Sequence, residues 1–171
     1  MKVAEILGLA IGSLSLLFSQ PVKAEMLTLG TASGGQTVRL DTTSIPRNRQ
    51  SMSWGTIFVY YLGNRRIEAE AHCGNQTWAA DGSNHKPQSK ATRNMLSIVC
   101  SGRYAEPIED MGNVLVFDPP SKVRSSPGGS VKCILSEMVV ISVYVEPRDD
   151  WYSTDACDGG WIHSSQIRAF D

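Results

Sequence analysis

The stretch that decides the fold of this chain begins in its last third and reads Phe117-Asp118-Pro119-Pro120-Ser121-Lys122-Val123-Arg124-Ser125-Ser126-Pro127-Gly128-Gly129. Pro119-Pro120 holds the backbone extended, and Pro127-Gly128-Gly129 combines a fixed φ with two residues free to adopt positive φ, which predicts a turn. Short segments rich in β-branched and aromatic residues follow at residues 134–135, 139–145 and 160–162. Short strands without a helical period predict a small barrel, closed because open strand edges invite mispairing.

Three pieces of this region carry a resemblance to a known family: Val123-Arg124-Ser125-Ser126-Pro127-Gly128-Gly129, Trp151-Tyr152 and Gly160-Trp161-Ile162-His163. In order and spacing they resemble the bacterial Src-homology-3-like domain (SH3-like, or SH3b). The resemblance implies an all-β SH3-like small barrel over residues 114–171. It also implies recognition of cell-wall peptide or a protein partner through aromatic side chains on one face, within a fold that carries many binding activities.

The candidate binding residues are Tyr144, Trp151, Tyr152, Trp161 and Arg124. In a small barrel some aromatic side chains fill the core and a few can line a groove, so each aromatic is a candidate for either role. Neighbouring residues on a strand point to opposite faces, which predicts that one of Trp151 and Tyr152 is core and the other exposed. Arg124 would add a polar contact at the rim, or be a solvated charge.

Residues 1–24 are typical of a secretory signal peptide. Lys2 precedes an uncharged apolar run at residues 6–18, and Val22-Lys23-Ala24 places small residues where a signal peptidase would cut. The run is short for a membrane span, so a permanent anchor or a buried N-terminal helix is the less favoured alternative. We expect an exported protein, periplasmic, cell-surface or secreted, with no membrane span after removal of the signal.

The charge balance excludes one class of partner. Removing Lys2, Lys23 and Glu5 from 16 basic and 17 acidic residues leaves 14 and 16, a formal charge of −2. A nearly neutral chain lacks the excess of positive charge that attracts nucleic acid. A change of pattern near Gly102 predicts two domains, at residues 25–102 and 114–171, joined by a linker at residues 103–113.

Four cysteines, Cys73, Cys100, Cys133 and Cys157, allow three disulfide pairings. Export favours disulfides, and the two-domain interpretation selects Cys73 with Cys100 and Cys133 with Cys157, one bridge in each domain. A zinc site is the competing hypothesis. It is disfavoured because no close Cys-x-x-Cys pair is present, and we expect neither a metal nor another cofactor.

The first domain is predicted to be α+β, an antiparallel sheet covered by one helix. Ser33-Gly34-Gly35 and Gly63-Asn64 are hairpin signals, and apolar Ile67, Ala69 and Ala71 alternate with polar residues, as in a sheet covered on one side. Residues 89–100 predict the covering helix. Ser89 would cap it, Asn94 would point away from the sheet, and Gly102 would end the helix in a left-handed conformation.

The first domain also carries a resemblance. Cys73-Gly74-Asn75-Gln76-Thr77-Trp78, a polar loop and a helix ending in Val99-Cys100 are similar to the surface-adhesin protein E-like domain of bacterial exported proteins. Residues 81–88 are predicted to be a loop without a recognisable site. Trp54, Tyr60 and Tyr61 are predicted to be core rather than ligand contacts.

The sequence favours binding over catalysis. With the cysteines assigned to disulfides there is no thiolate nucleophile, and His72, His85 and His163 lie on separate elements. Ser164 and Ser165 adjoin His163, but neighbours in sequence on a strand point to opposite faces, and no carboxylate is placed to orient the ring. The sequence therefore predicts a non-enzymatic envelope protein that engages peptidoglycan peptide or an envelope protein. The alternative is a regulatory or targeting subunit of a separate cell-wall hydrolase.

Overall fold

The computed structural model describes residues 25–47, 55–105 and 108–170. The predicted signal peptide, Trp54 and residues 106–107 of the predicted linker lie outside the described residues. The described chain is mostly β, with two antiparallel sheets and one α-helix. The first sheet precedes the helix in the chain and the second follows it.

Six strands form the first sheet in chain order: β1 (Met26–Thr31), β2 (Thr37–Asp41), β3 (Thr56–Leu62), β4 (Arg65–His72), β5 (Thr77–Ala80) and β6 (Ser83–His85). Two-residue turns at Gly63-Asn64 and Asp81-Gly82 join β3 to β4 and β5 to β6, so each strand pairs with its sequence neighbour. Asp81 and Gly82 both have positive φ, 51° and 74°, as a type I′ hairpin turn requires. Part of the segment predicted to be a loop is therefore strand β6.

Helix α1 (Lys90–Gly102) covers one face of the first sheet. The Ser89 hydroxyl accepts a hydrogen bond from the Thr92 N–H at 3.2 Å, and the Ser89 N–H donates to the Thr92 hydroxyl at 3.1 Å. This reciprocal pair satisfies two donors that a helix start otherwise leaves free. Under the helix, alternate residues of β4 are buried, which matches the predicted one-sided sheet.

Asn94 lies on the side of α1 that faces away from the first sheet, but that side packs against the second sheet, so the residue is not exposed to solvent. Asn94 is 3% exposed and accepts a hydrogen bond from the backbone N–H of Met138 at 3.1 Å. The Ser101 hydroxyl accepts one from the Val140 N–H at 2.9 Å. Apolar side chains of both sheets meet in one core around the helix, to which the second sheet contributes Leu115, Met138, Val140 and Phe170.

Gly102 is the last residue of α1, but it does not adopt the predicted left-handed conformation. The next residue, Arg103, has φ −60°, and Gly102 has no positive φ. A Cβ at Gly102 would lie 3.0 Å from Cζ and 3.2 Å from Cε1 of Phe170. Glycine is needed here because the aromatic ring approaches the helix backbone closely.

Seven strands form the second sheet: β7 (Met111–Val116), β8 (Ser121–Arg124), β9 (Val131–Leu135), β10 (Val139–Tyr144), β11 (Trp151–Thr154), β12 (Gly160–His163) and β13 (Ile167–Ala169). Their order is β13-β7-β10-β11-β12-β8-β9. The apolar runs in β7 and β10 are buried on both faces. The pair Leu115–Val140 faces α1, and the pair Val114–Ile141 faces a second core with Val116, Val143 and Ile162.

The predicted closure into a barrel is not found, because the strand order is open within the described residues. The two edge strands of this order are β13 and β9. A side chain connects β8 to the 3₁₀ turn that precedes β13. The Lys122 N–H donates to Gln166 Oε1 at 2.7 Å, and Gln166 Nε2 donates to the Lys122 carbonyl at 3.4 Å.

Disulfides join Cys73 to Cys100 and Cys133 to Cys157, with Cα–Cα distances of 5.5 Å and 6.3 Å. The first ties α1 to the end of β4, and the second ties β9 to the loop before β12. Two disulfides are typical of proteins from oxidising compartments. In the described ranges no helix has the length and apolar character needed to cross a bilayer.

Candidate functional site

Three of the five predicted binding residues lie on one face of the second sheet. Across β11 and β12, Trp151 pairs with His163 and Ser153 pairs with Trp161; across β12 and β8, Trp161 pairs with Arg124. Directly paired residues of antiparallel strands point to the same side of a sheet. Arg124, Trp151, Trp161 and His163 therefore share one face, which we call the tryptophan face.

Contacts on the tryptophan face fix its side chains relative to one another. The Arg124 guanidinium carbon lies 5.9 Å from the centroid of the Trp151 ring, within the range of a cation–π contact. The Trp151 and His163 rings meet edge to face, with centroids 5.0 Å apart at 76°. All four side chains are half-buried, so each has one side on the protein and one side toward solvent.

The turn after β8 holds Arg124 in place. Within it, the Ser125 N–H donates to the Ser130 carbonyl and the Gly129 N–H to the Ser126 carbonyl, both at 2.9 Å. Gly128 takes the positive φ, +67°, that the sequence signal predicts, whereas Gly129 does not. This turn aims the Gly129 carbonyl at Arg124, whose Nη1 donates to it at 2.6 Å.

His163 and Ser165 do meet, contrary to the prediction from strand alternation. The strand ends at His163, and a 3₁₀ turn (Ser164–Gln166) brings Ser165 back toward the ring. His163 Nδ1 accepts a hydrogen bond from the Ser165 N–H at 3.2 Å and lies 2.8 Å from its hydroxyl. Because Nδ1 is an acceptor, the proton of the neutral ring is on Nε2, and the pair acts as a cap for the turn.

Tyr152 lies on the opposite face from Trp151, as the alternation predicts. It pairs with the buried Ile162, packs against the second core, and lines an apolar groove of about 490 Å³ together with Val114, Val143 and Ile167. Tyr152 is half-buried, like Trp151, so the two residues do not divide cleanly into core and exposed.

Tyr144 is separate from both sets. It ends β10, is 50% exposed, and borders a shallow cavity of about 330 Å³ with Asp110, Val145 and Glu146. The five predicted residues thus occupy three places, with Arg124, Trp151 and Trp161 brought together and Tyr152 and Tyr144 apart.

A further concave region lies on the first sheet, where the sequence predicted no site. A groove of about 540 Å³ opens between the β1–β2 turn, strand β6 and the first turn of α1. Its walls include Tyr60, which was predicted to be core, and Trp78, for which no role was predicted. His85 and Lys86 from the predicted loop also line it. The Asp81-Gly82 pair is a strong hairpin signal and could have identified β6, and with it this groove, from sequence.

In the part of the chain that the structure describes, no group of three or more His, Cys, Asp or Glu side chains is placed to hold a metal ion. All four cysteines are in disulfides.

No family model, curated protein or solved structure matches the chain. A functional hypothesis for it therefore depends on the geometry of these surfaces.

Proposed function

We propose that this protein is a non-enzymatic, exported binding protein of the bacterial cell envelope. In this proposal residues 114–171 are an SH3-like domain, and residues 25–102 are an α+β, adhesin-like companion. The tryptophan face engages the stem peptides of peptidoglycan.

The observation that supports the proposal is the grouping of Arg124, Trp151 and Trp161 on one half-buried face. Tryptophan and arginine are the residues most often found at the centre of binding surfaces, because each combines a large contact area with hydrogen-bond donors. Two such tryptophans on adjacent strands offer a peptide both apolar contact and indole N–H donors.

Arg124 adds the polar component. A guanidinium presents a planar fork of donors that matches a carboxylate, and stem peptides end in carboxylates. The hydrogen bond to Gly129 and the contact with Trp151 pre-orient the side chain, so little conformational entropy remains to be lost on binding.

The test is retention of the mature chain, residues 25–171, on purified sacculi. We expect the native protein to sediment with them, and Trp151→Ala or Trp161→Ala to weaken retention about tenfold or more. Sacculi stripped of stem peptides by an amidase should retain much less of the native protein.

Tyr61→Ala is the matched control. Tyr61 lies on the first sheet with the Arg39 guanidinium carbon 5.3 Å from its ring centroid, so it reproduces an aromatic ring with a stacked arginine away from the tryptophan face. Retention of this variant should be unchanged, with circular dichroism confirming the fold of each variant. Absence of retention at low salt would reject peptidoglycan as the ligand. It would favour an envelope protein as the partner, as expected for a regulatory or targeting subunit of a separate cell-wall hydrolase.

A further inference from the structure

The groove on the first sheet is lined by two side-chain amides that make no hydrogen bond to a described residue. Gln36 approaches it from the β1–β2 turn, and Gln88 from the segment before α1. Both are exposed. Asn84 of β6 also borders the groove, but it pairs with Ala79, so its side chain points to the sheet face opposite Trp78 and His85. We call this region the amide groove.

The floor of the amide groove is aromatic. Trp78 and His85 are cross-strand partners whose rings stack with centroids 5.4 Å apart at 23°, and Tyr60 lies beside them. Trp78 is 5% exposed, and its Nε1 has no hydrogen-bond partner among the described residues. Burial raises the pKa of the Tyr60 hydroxyl, and the neighbouring Trp78 indole acts in the opposite direction.

The charge of the groove restricts its ligand. Lys86 is the one lining residue with a full charge at neutral pH, and the described lining contains no carboxylate. A single flexible ammonium is a weak basis for a phosphate or sulfate site, and without carboxylates the groove does not suit a cation.

We propose that the amide groove binds a neutral saccharide carrying hydroxyl and N-acetyl groups. Side-chain amides both donate and accept hydrogen bonds, as do sugar hydroxyls and acetamido groups. The exposed His85 ring, stacked on Trp78, offers a flat aromatic face against which a sugar ring can pack. A volume of about 540 Å³ is within the usual range of small-ligand sites.

A second cavity lies across the edge strand β6 from the groove. It measures about 470 Å³, shares Asn84 and Lys86 with the amide groove, and is lined further by His72, Asn75 and Thr77. His72, Thr77 and Asn84 lie on the sheet face opposite Trp78 and His85, so the two cavities are on opposite sides of the sheet. An added peptide strand is the competing occupant, but β6 is three residues long and offers few backbone groups for pairing.

The test is a titration of the ¹⁵N-labelled mature chain with di-N-acetylchitobiose, followed by NMR. The chain has four tryptophans, whose indole N–H signals can be assigned by substitution. We expect a saturable shift of the Trp78 indole signal and of the side-chain amides of Gln36 and Gln88. The double variant Gln36→Ala/Gln88→Ala should weaken binding at least fivefold.

Asn64→Ala, in the exposed β3–β4 turn, is the matched control and should bind like the native chain. The inference is overturned if the Trp78 signal does not move, if only the Trp151 and Trp161 signals move, or if N-acetyl-dialanine shifts Trp78 more strongly at equal concentration. The probe contains no stem peptide, so a negative result would not contradict the proposal that the tryptophan face binds stem peptides. A negative result with sacculi would likewise not contradict saccharide binding in the amide groove.

Discussion

Asn94 Oδ1 accepts a hydrogen bond from the backbone N–H of Met138 at 3.1 Å, and the two residues are 3% and 7% exposed. The bond joins α1, which covers the first sheet, to the residue that immediately precedes β10 of the second sheet. Ser101 repeats the connection two turns later with the Val140 N–H. The segments predicted to be two domains are thus in contact through a shared core with specific polar contacts.

Replacing Asn94 with alanine should lower the free energy of unfolding by about 1–3 kcal/mol, because the buried Met138 N–H would lose its acceptor. Urea denaturation measures the change. Arg93→Ala is the control, since its ion pair with Glu137, at 3.6 Å, is exposed and should contribute less than about 1 kcal/mol. Equal effects of the two substitutions would show that the Asn94 contact does not stabilise the packing of the helix on the second sheet.

Gly102→Ala should destabilise the protein by about 1–3 kcal/mol, because the new methyl group would be forced against the Phe170 ring. Adding Phe170→Leu should recover part of this loss by making room for the methyl group, so the two effects should be non-additive in a double-mutant cycle. Gly74→Ala is the control: it lies outside positive φ, and a Cβ there meets no atom within 4 Å. Strict additivity would contradict the proposed clash.

Tyr60 should make stability depend on alkaline pH. Burial raises the pKa of Tyr60 above its ordinary value of 10.0, with the nearby Trp78 indole acting in the opposite direction. The folded state therefore keeps the phenol proton longer than the unfolded state. This contribution to stability is complete below pH 10.0 and is lost as pH rises through the folded-state pKa.

Tyr60→Phe should accordingly show a smaller fall in unfolding free energy between about pH 9 and pH 11 than the native chain. Thermal or urea unfolding at each pH measures the difference, and Tyr61→Phe on the same strand serves as the control. An identical pH dependence in the native chain and in Tyr60→Phe would exclude a buried, ionisation-resistant Tyr60.

Removal of either disulfide should cost on the order of 3 kcal/mol in the chain-entropy model, because the cysteines are separated by 27 and 24 residues. The variants are Cys73→Ala/Cys100→Ala and Cys133→Ala/Cys157→Ala, compared by denaturant unfolding. Since the loops are nearly equal in length, the losses should be similar. Mass spectrometry of unreduced fragments checks the pairing, and a crosslink between the two sheets would contradict it.

Several features of the fold followed from local signals. The Ser33-Gly34-Gly35 and Gly63-Asn64 turns, the alternation in β4 and the Ser89 cap each depend on the φ preference or side-chain reach of a few neighbouring residues. The Asp81-Gly82 turn is a local signal of the same kind, and it predicts the β5–β6 hairpin. The opposite orientations of Trp151 and Tyr152 also followed, because alternation is a local property of any strand.

Sequence by itself determined the turns, the helix start, the alternation of faces and a mostly β chain with one helix. Only the tertiary structure decided that Asn94 is buried, that Phe170 lies against Gly102, that the second sheet stays open, and that Arg124 joins Trp151 and Trp161. Local preferences concern residues close together in the chain, whereas these relationships depend on strand register and on packing between elements far apart in it, for which no short segment of sequence carries a signal.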